Sequence, residues 1–135
     1  MSKVVIVGSN QLTRHLIDWE QDADYWLFNE AAGHSWAKKV TGVFQMHSPA
    51  IWRNNANVND SGHYHWLQQE HPYPIWMQER YPDVPSSMKY PILGITNHLL
   101  RNITHRDGKI AQYFTSSPAY AIALAIYNGY DEIEI

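Results

Sequence analysis

Lys3-Val4-Val5-Ile6-Val7-Gly8-Ser9-Asn10 is the stretch that decides the fold. Val4 to Val7 is an unbroken β-branched apolar run. A strand with one wet face would alternate, so an unbroken run marks a strand covered on both faces, as inside a parallel sheet. Gly8 breaks the run. Glycine lets the backbone come close to a ligand, and a helix starting just after it would aim its N–H groups at an anion. Leu12, His15/Leu16 and Trp19 follow at helical spacing, which predicts a helix over 11–19.

The same alternation repeats outward from this unit. Strands are expected over Asp24 to Phe28, Val40 to Met46, Pro74 to Gln78, Gln112 to Thr115 and Asp131 to Ile135. Gly33 to Lys39 reads as a connection or short helix. Helices are expected over Pro49 to Trp52, His63 to Glu70, and Pro91 or Ile92 to Arg101. A strong one runs from Ala119 to Asn128, opened by Ser117-Pro118 and closed by Gly129. Asn54 to Gly62, Tyr81 to Ser87 and Asn102 to Lys109 are irregular by composition. Strands alternating with helices along the whole chain predict an α/β, Rossmann-like three-layer sandwich. Its sheet should be mostly parallel, with about five or six strands, in one domain over residues 1–135. The sequence stops inside its last apolar strand, so the expectation is a minimal or shortened version of a longer fold.

The bulk numbers bound the function. The chain has 135 residues, 44% of them hydrophobic and 17% charged, enough for one domain with a core. A net charge of −3 argues against a protein that wraps nucleic acid by charge. There is no Cys, which excludes disulfides and thiolate chemistry. No apolar run approaches ~18 residues and no signal peptide is legible, so a cytoplasmic protein with no membrane partner is expected. Six Trp and nine Tyr fit a core, a stacking platform or a partner surface, and they leave a homo-oligomer open.

Open α/β sheets bind ligands beyond the carboxyl ends of their strands. Those ends supply Gly8, Ser9 and Asn10; Asn29 and Glu30; Gln45, Met46 and His47; and Thr115, Ser116 and Ser117. They are short or neutral hydrogen-bonding residues, suited to a nucleotide or nucleotide sugar as small-molecule ligand. No other cofactor is implied. Ser116 or Ser117 also fits as a helix N-cap. His47 is the catalytic candidate, as general base or phosphate donor, with a structural hydrogen bond as the alternative. His63-x-His65 lacks a well-spaced third ligand, so no metal site is expected. Trp52-Arg53-Asn54-Asn55 and Tyr64-His65-Trp66 flank the Asn-rich loop and suit either a lid over a base or plain anchors.

Thr115-Ser116-Ser117-Pro118-Ala119-Tyr120-Ala121-Ile122-Ala123-Leu124-Ala125-Ile126, followed by Gly129-Tyr130-Asp131-Glu132-Ile133, resembles a segment of bacterial family-42 sialyltransferases. It is also similar to proteins related to 6-hydroxymethylpterin diphosphokinase. Val4-Val5-Ile6-Val7-Gly8-Ser9-Asn10 looks like their first strand and loop. Asp24-Tyr25-Trp26-Leu27-Phe28-Asn29 and Lys38-Lys39-Val40-Thr41-Gly42-Val43-Phe44-Gln45 look like their second and third strands. Residues 50 to 110 match poorly. The arrangement also looks like that of short Rossmann-like bacteriophage proteins, which would place it in the host cytoplasm. The resemblance implies that Asn10, Asn29 and Gln45 contact a nucleotide, with Thr115, Ser116 and Ser117 on the phosphate or sugar side. It implies metal-independent, glycosyltransferase-like transfer from a nucleotide sugar. Two departures separate the chain from the family. The loop reads Gly8-Ser9-Asn10-Gln11, and the family's catalytic segment would fall beyond Ile135. Non-catalytic nucleotide binding or sequestration, or a pure interaction role, are the competing expectations.

Overall fold

The computed structural model describes residues 2–53, 62–99, 114 and 116–135. These residues form one six-stranded sheet of β1 Lys3–Ile6, β2 Asp24–Phe28, β3 Gly42–Gln45, β4 Ile75–Met77, β5 Ser87–Lys89 and β6 Glu132–Glu134. The order is β5-β4-β3-β2-β1-β6, and every pair is parallel. The helices are α1 Pro49–Trp52, α2 His63–Gln68, α3 Ile92–Leu99 and α4 Ser117–Tyr127. None is long and apolar enough to cross a membrane among the described residues.

The order dictates the layers. From β1 to β5 the chain steps one way across the sheet, then returns past β1 to lay down β6. Parallel crossovers are right-handed, so reversing the stepping direction moves the connection to the other face. The packing agrees. Val5, Val7, Tyr25, Leu27, Val43, Ile75 and Met77 face the short connections carrying α1 and α2. Val4, Ile6, Trp26 and Phe44 face α3 and α4. The result is a three-layer α/β sandwich of Rossmann-like form.

Most of the aromatic load lies inside. Tyr25, Trp26, Phe44, Trp52 and Tyr90 are all buried. Phe44 lies against Trp76, Trp26 and Phe28 at centroid separations of 4.7, 5.5 and 5.7 Å. Gly42 makes that packing possible, because a Cβ there would sit 2.4 Å from Trp76 Cζ3. Helix α4 begins at an N-cap, where the Ser116 hydroxyl accepts from the Ala119 N–H at 3.4 Å. It ends at Gly129, whose φ of +80° suits glycine.

The sheet edge at β6 is held by charge and hydrogen bonds. Lys3 Nζ lies 3.0 Å from Glu134 and 3.5 Å from Glu132. The Ser2 N–H donates to Asp131 at 2.9 Å, and the Tyr130 hydroxyl donates to Asp24 at 2.5 Å.

Three expectations change. The helix predicted over 11–19 does not form; a turn leads instead into a 3-10 helix, Arg14–Leu16. Asn10 organises the turn: its Oδ1 accepts the Leu12 N–H at 2.9 Å, and its carbonyl takes the Thr13 and Arg14 N–H groups. This first turn is not carried on into a helix. Leu12 and Leu16 stay 80% and 72% exposed, so no apolar helix face is built. Second, the fifth strand is Ser87–Lys89, which begins at the last residue of a segment expected to be irregular. It is a three-residue edge strand with Lys89 exposed, a common way to blunt an edge, and it leaves little apolar signal. Third, of the strand expected over 112–115, Phe114 lies in no strand and the other residues are outside the described ones. Residues 54–61 of the loop expected over 54–62, the turn over 102–109 and the end of the third helix at 100–101 are also outside the described residues.

Candidate functional site: the cleft where the sheet reverses

The reversal between β1 and β6 is the topological switch point, where open α/β sheets leave a crevice. A cleft of about 360 Å³ lies there, lined by Val5, Val7, Gly8, Thr13, Arg14, Leu16, Ile17, Glu134 and Ile135 among others. It exists because the β1–β2 connection leads toward β2, leaving one side of β6 open. Gly8 is exposed at its mouth, and a Cβ built there meets nothing within 4 Å. The loop Gly8-Ser9-Asn10 is thus where the first strand predicted it. The long helix expected after it, which would present a row of N–H groups, does not form. The charge available is the Arg14 guanidinium, held 4.9 Å over the Trp36 ring.

Glu134 supplies the opposite charge. Its Oε1 accepts from Lys3 Nζ at 3.0 Å and its Oε2 accepts from Gln21 Nε2 at 3.2 Å. The hydrogen bond from Lys3, reinforced by that from Gln21, lowers the Glu134 pKa below the ordinary carboxylate range.

The other predicted residues divide between the two faces of the sheet. Asn29 follows β2 with φ 53°, in the left-handed region, and its buried Oδ1 has no hydrogen-bond partner among the described residues. Gln45 is buried at the end of β3. Its amide nitrogen donates to His63 Nε2 at 2.7 Å, which places the His63 proton on Nδ1, and its Oε1 accepts the His47 N–H at 3.3 Å. His47 itself is exposed, and its carbonyl accepts from Trp52 Nε1 at 3.2 Å. Ser116 and Ser117 open α4 on the other face, where the Tyr90 hydroxyl donates to the Tyr120 carbonyl at 2.8 Å. Thr115 is outside the described residues. Among the predicted residues, Gly8 lines the cleft. Thr13, Arg14 and Glu134 line it too and were not foreseen. Arg14 was legible as the first cation after the glycine loop, but nothing in the sequence places Glu134 beside it.

A second cleft, about 270 Å³, is lined by Glu30, Gly33, Gly62, His63, His65, Trp66 and Gln69. His65 and Gln69 are already paired at 3.1 Å.

Of the residues flanking the Asn-rich loop, Arg53 and Tyr64 meet at Asp83, while Asn54 and Asn55 are outside the described residues. Arg53 donates to both Asp83 oxygens at 3.0 Å, and the Tyr64 hydroxyl donates to Oδ2 at 2.8 Å. The Arg53 hydrogen bond lowers the Asp83 pKa. A depressed folded pKa adds stability that is complete above the unfolded aspartate value, about 3.9. That stability is lost as pH falls through the folded value. Asp83→Asn is therefore expected to flatten the fall of the thermal midpoint below about pH 4. An acid limb identical to that of the unmodified chain would contradict this.

The chain matches no protein-family model, and no curated protein or solved structure matches it.

Proposed function

We propose that this chain binds a nucleotide or nucleotide sugar in the β1–β6 cleft, as a glycosyltransferase-like protein. The observation that carries the reading is the position of the cleft. It lies at the reversal of strand order, with Gly8, Thr13 and Arg14 on its lining. Leu16, Ile17 and Ile135 give it apolar wall for a base or sugar ring. Few polar groups on an apolar cleft is the usual form of a small-molecule site. Arg14 suits a phosphate because a guanidinium offers a planar fork of donors.

Binding without transfer is the second reading, and the place of His47 favours it. His47 follows β3, two strands from β1, which is roughly 10 Å at the usual strand spacing. Calorimetry with a panel of nucleotides and nucleotide sugars separates the readings. Micromolar to millimolar binding is expected, and Arg14→Ala should weaken it by ~10- to 100-fold, the worth of a charge-assisted hydrogen bond. Release of free nucleotide from a bound sugar donor would support transfer. No binding at millimolar ligand overturns both readings.

A further inference from the structure

The β1–β6 cleft is bipolar. Arg14 is drawn over Trp36, which packs with Trp19 and Tyr25 on the β2 side of β1. Glu134 stands on β6, on the other side of β1, opposite Val5. Arg14 comes from the β1–β2 connection and Glu134 from β6, so they line the cleft from opposite sides of β1, with Val5 and Val7 also on its wall. A ligand that fills the cleft must be anionic at one end and rich in hydrogen-bond donors at the other.

We infer that Glu134 reads the ribose hydroxyls of a nucleoside monophosphate, so that the cleft prefers ribonucleotides to their deoxy forms. This rests on the nucleotide reading above. An ionised carboxylate is acceptor-only and has about four lone-pair positions on two oxygens. Lys3 and Gln21 each occupy one oxygen, which fixes the carboxylate and leaves acceptor capacity on both. Two adjacent acceptors match the two adjacent donors of a cis-diol. The same charge repels phosphate, which therefore goes to the Arg14 end. Because the carboxylate is already held by Lys3 and Gln21, little ordering cost falls on binding. A volume of about 360 Å³ lies at the small end of ligand sites and suits one nucleotide rather than two joined.

The test is calorimetry with one ribonucleoside 5′-monophosphate and its 2′-deoxy and 2′,3′-dideoxy forms, repeated for two bases. The unmodified chain is expected to bind the ribo form ~tenfold or more tightly than the dideoxy form, with either base. Glu134→Gln should reduce that ratio to near one. Glu132→Gln removes the other carboxylate beside Lys3, which does not line the cleft, and should leave the ratio intact. If nucleotides bind but the unmodified chain shows no sugar preference, or Glu134→Gln keeps it, the assignment to Glu134 is wrong while nucleotide binding stands. A preference that follows the base instead of the sugar would likewise overturn it, pointing to an exocyclic amine at Glu134. Failure of every nucleotide to bind overturns both the assignment and the reading beneath it.

Discussion

Phe44→Ala is expected to cost about 3–5 kcal/mol, the usual range for emptying a buried aromatic site. That is a large share of the ~5–15 kcal/mol by which domains are stable. Phe44 is wholly buried at the centre of the sheet face that α3 and α4 cover. Its ring meets Trp26, Phe28, Trp76 and Tyr90, the last at 6.4 Å. None of these large rings can move in to fill the space without leaving its own partners. Phe44→Leu keeps most of the volume and should cost less than about 1.5 kcal/mol. Urea unfolding of the two variants checks the pair. Equal midpoints would mean that the ring is not packed as described.

Gly42→Ala should destabilise by about 1–3 kcal/mol through overpacking. The new methyl would lie 2.4 and 2.7 Å from two Trp76 ring carbons and 3.0 Å from Trp26 Cδ1. Trp76 cannot simply step aside, because Phe44 at 4.7 Å and Trp26 at 5.0 Å hold it. Trp76 makes the two shortest contacts, and a double-mutant cycle isolates its share. In a Trp76→Leu background most of the penalty should disappear, leaving only the 3.0 Å contact with Trp26 Cδ1. An equal penalty in both backgrounds would place the strain elsewhere, in the backbone of β3.

Legibility followed burial. Val4 to Val7 and Tyr25 to Phe28 were readable because both faces of their strands are covered, so their residues are apolar without alternation. Helix α4 was readable because its start and stop are local: Ser116 caps it, Pro118 enters its first turn and Gly129 ends it. Residues 11–19 misled because Leu12, Leu16 and Trp19 have helical spacing, whereas Leu12 and Leu16 stay exposed, so no buried face extends the first turn into a helix. β5 was missed because Ser87 and Lys89 carry no apolar pattern, and their pairing with Ile75 and Met77 is long-range. Of the candidate site, the strand ends were legible one by one, but not their division between the two faces of the sheet.

The sequence by itself determined the alternation of strands and helices, the parallel sheet and the open glycine after β1, since each rests on local pattern. Only the tertiary structure decided where the cleft lies and what charges it. Strand order is a product of long-range pairing: β6 returns to β1 rather than extending past β5. That return brings Glu134 to the cleft beyond Gly8, though 126 positions separate them along the chain (134 − 8). The loop at Gly8 keeps its place, while the helix start expected after it is absent and Arg14 is the cation on the cleft.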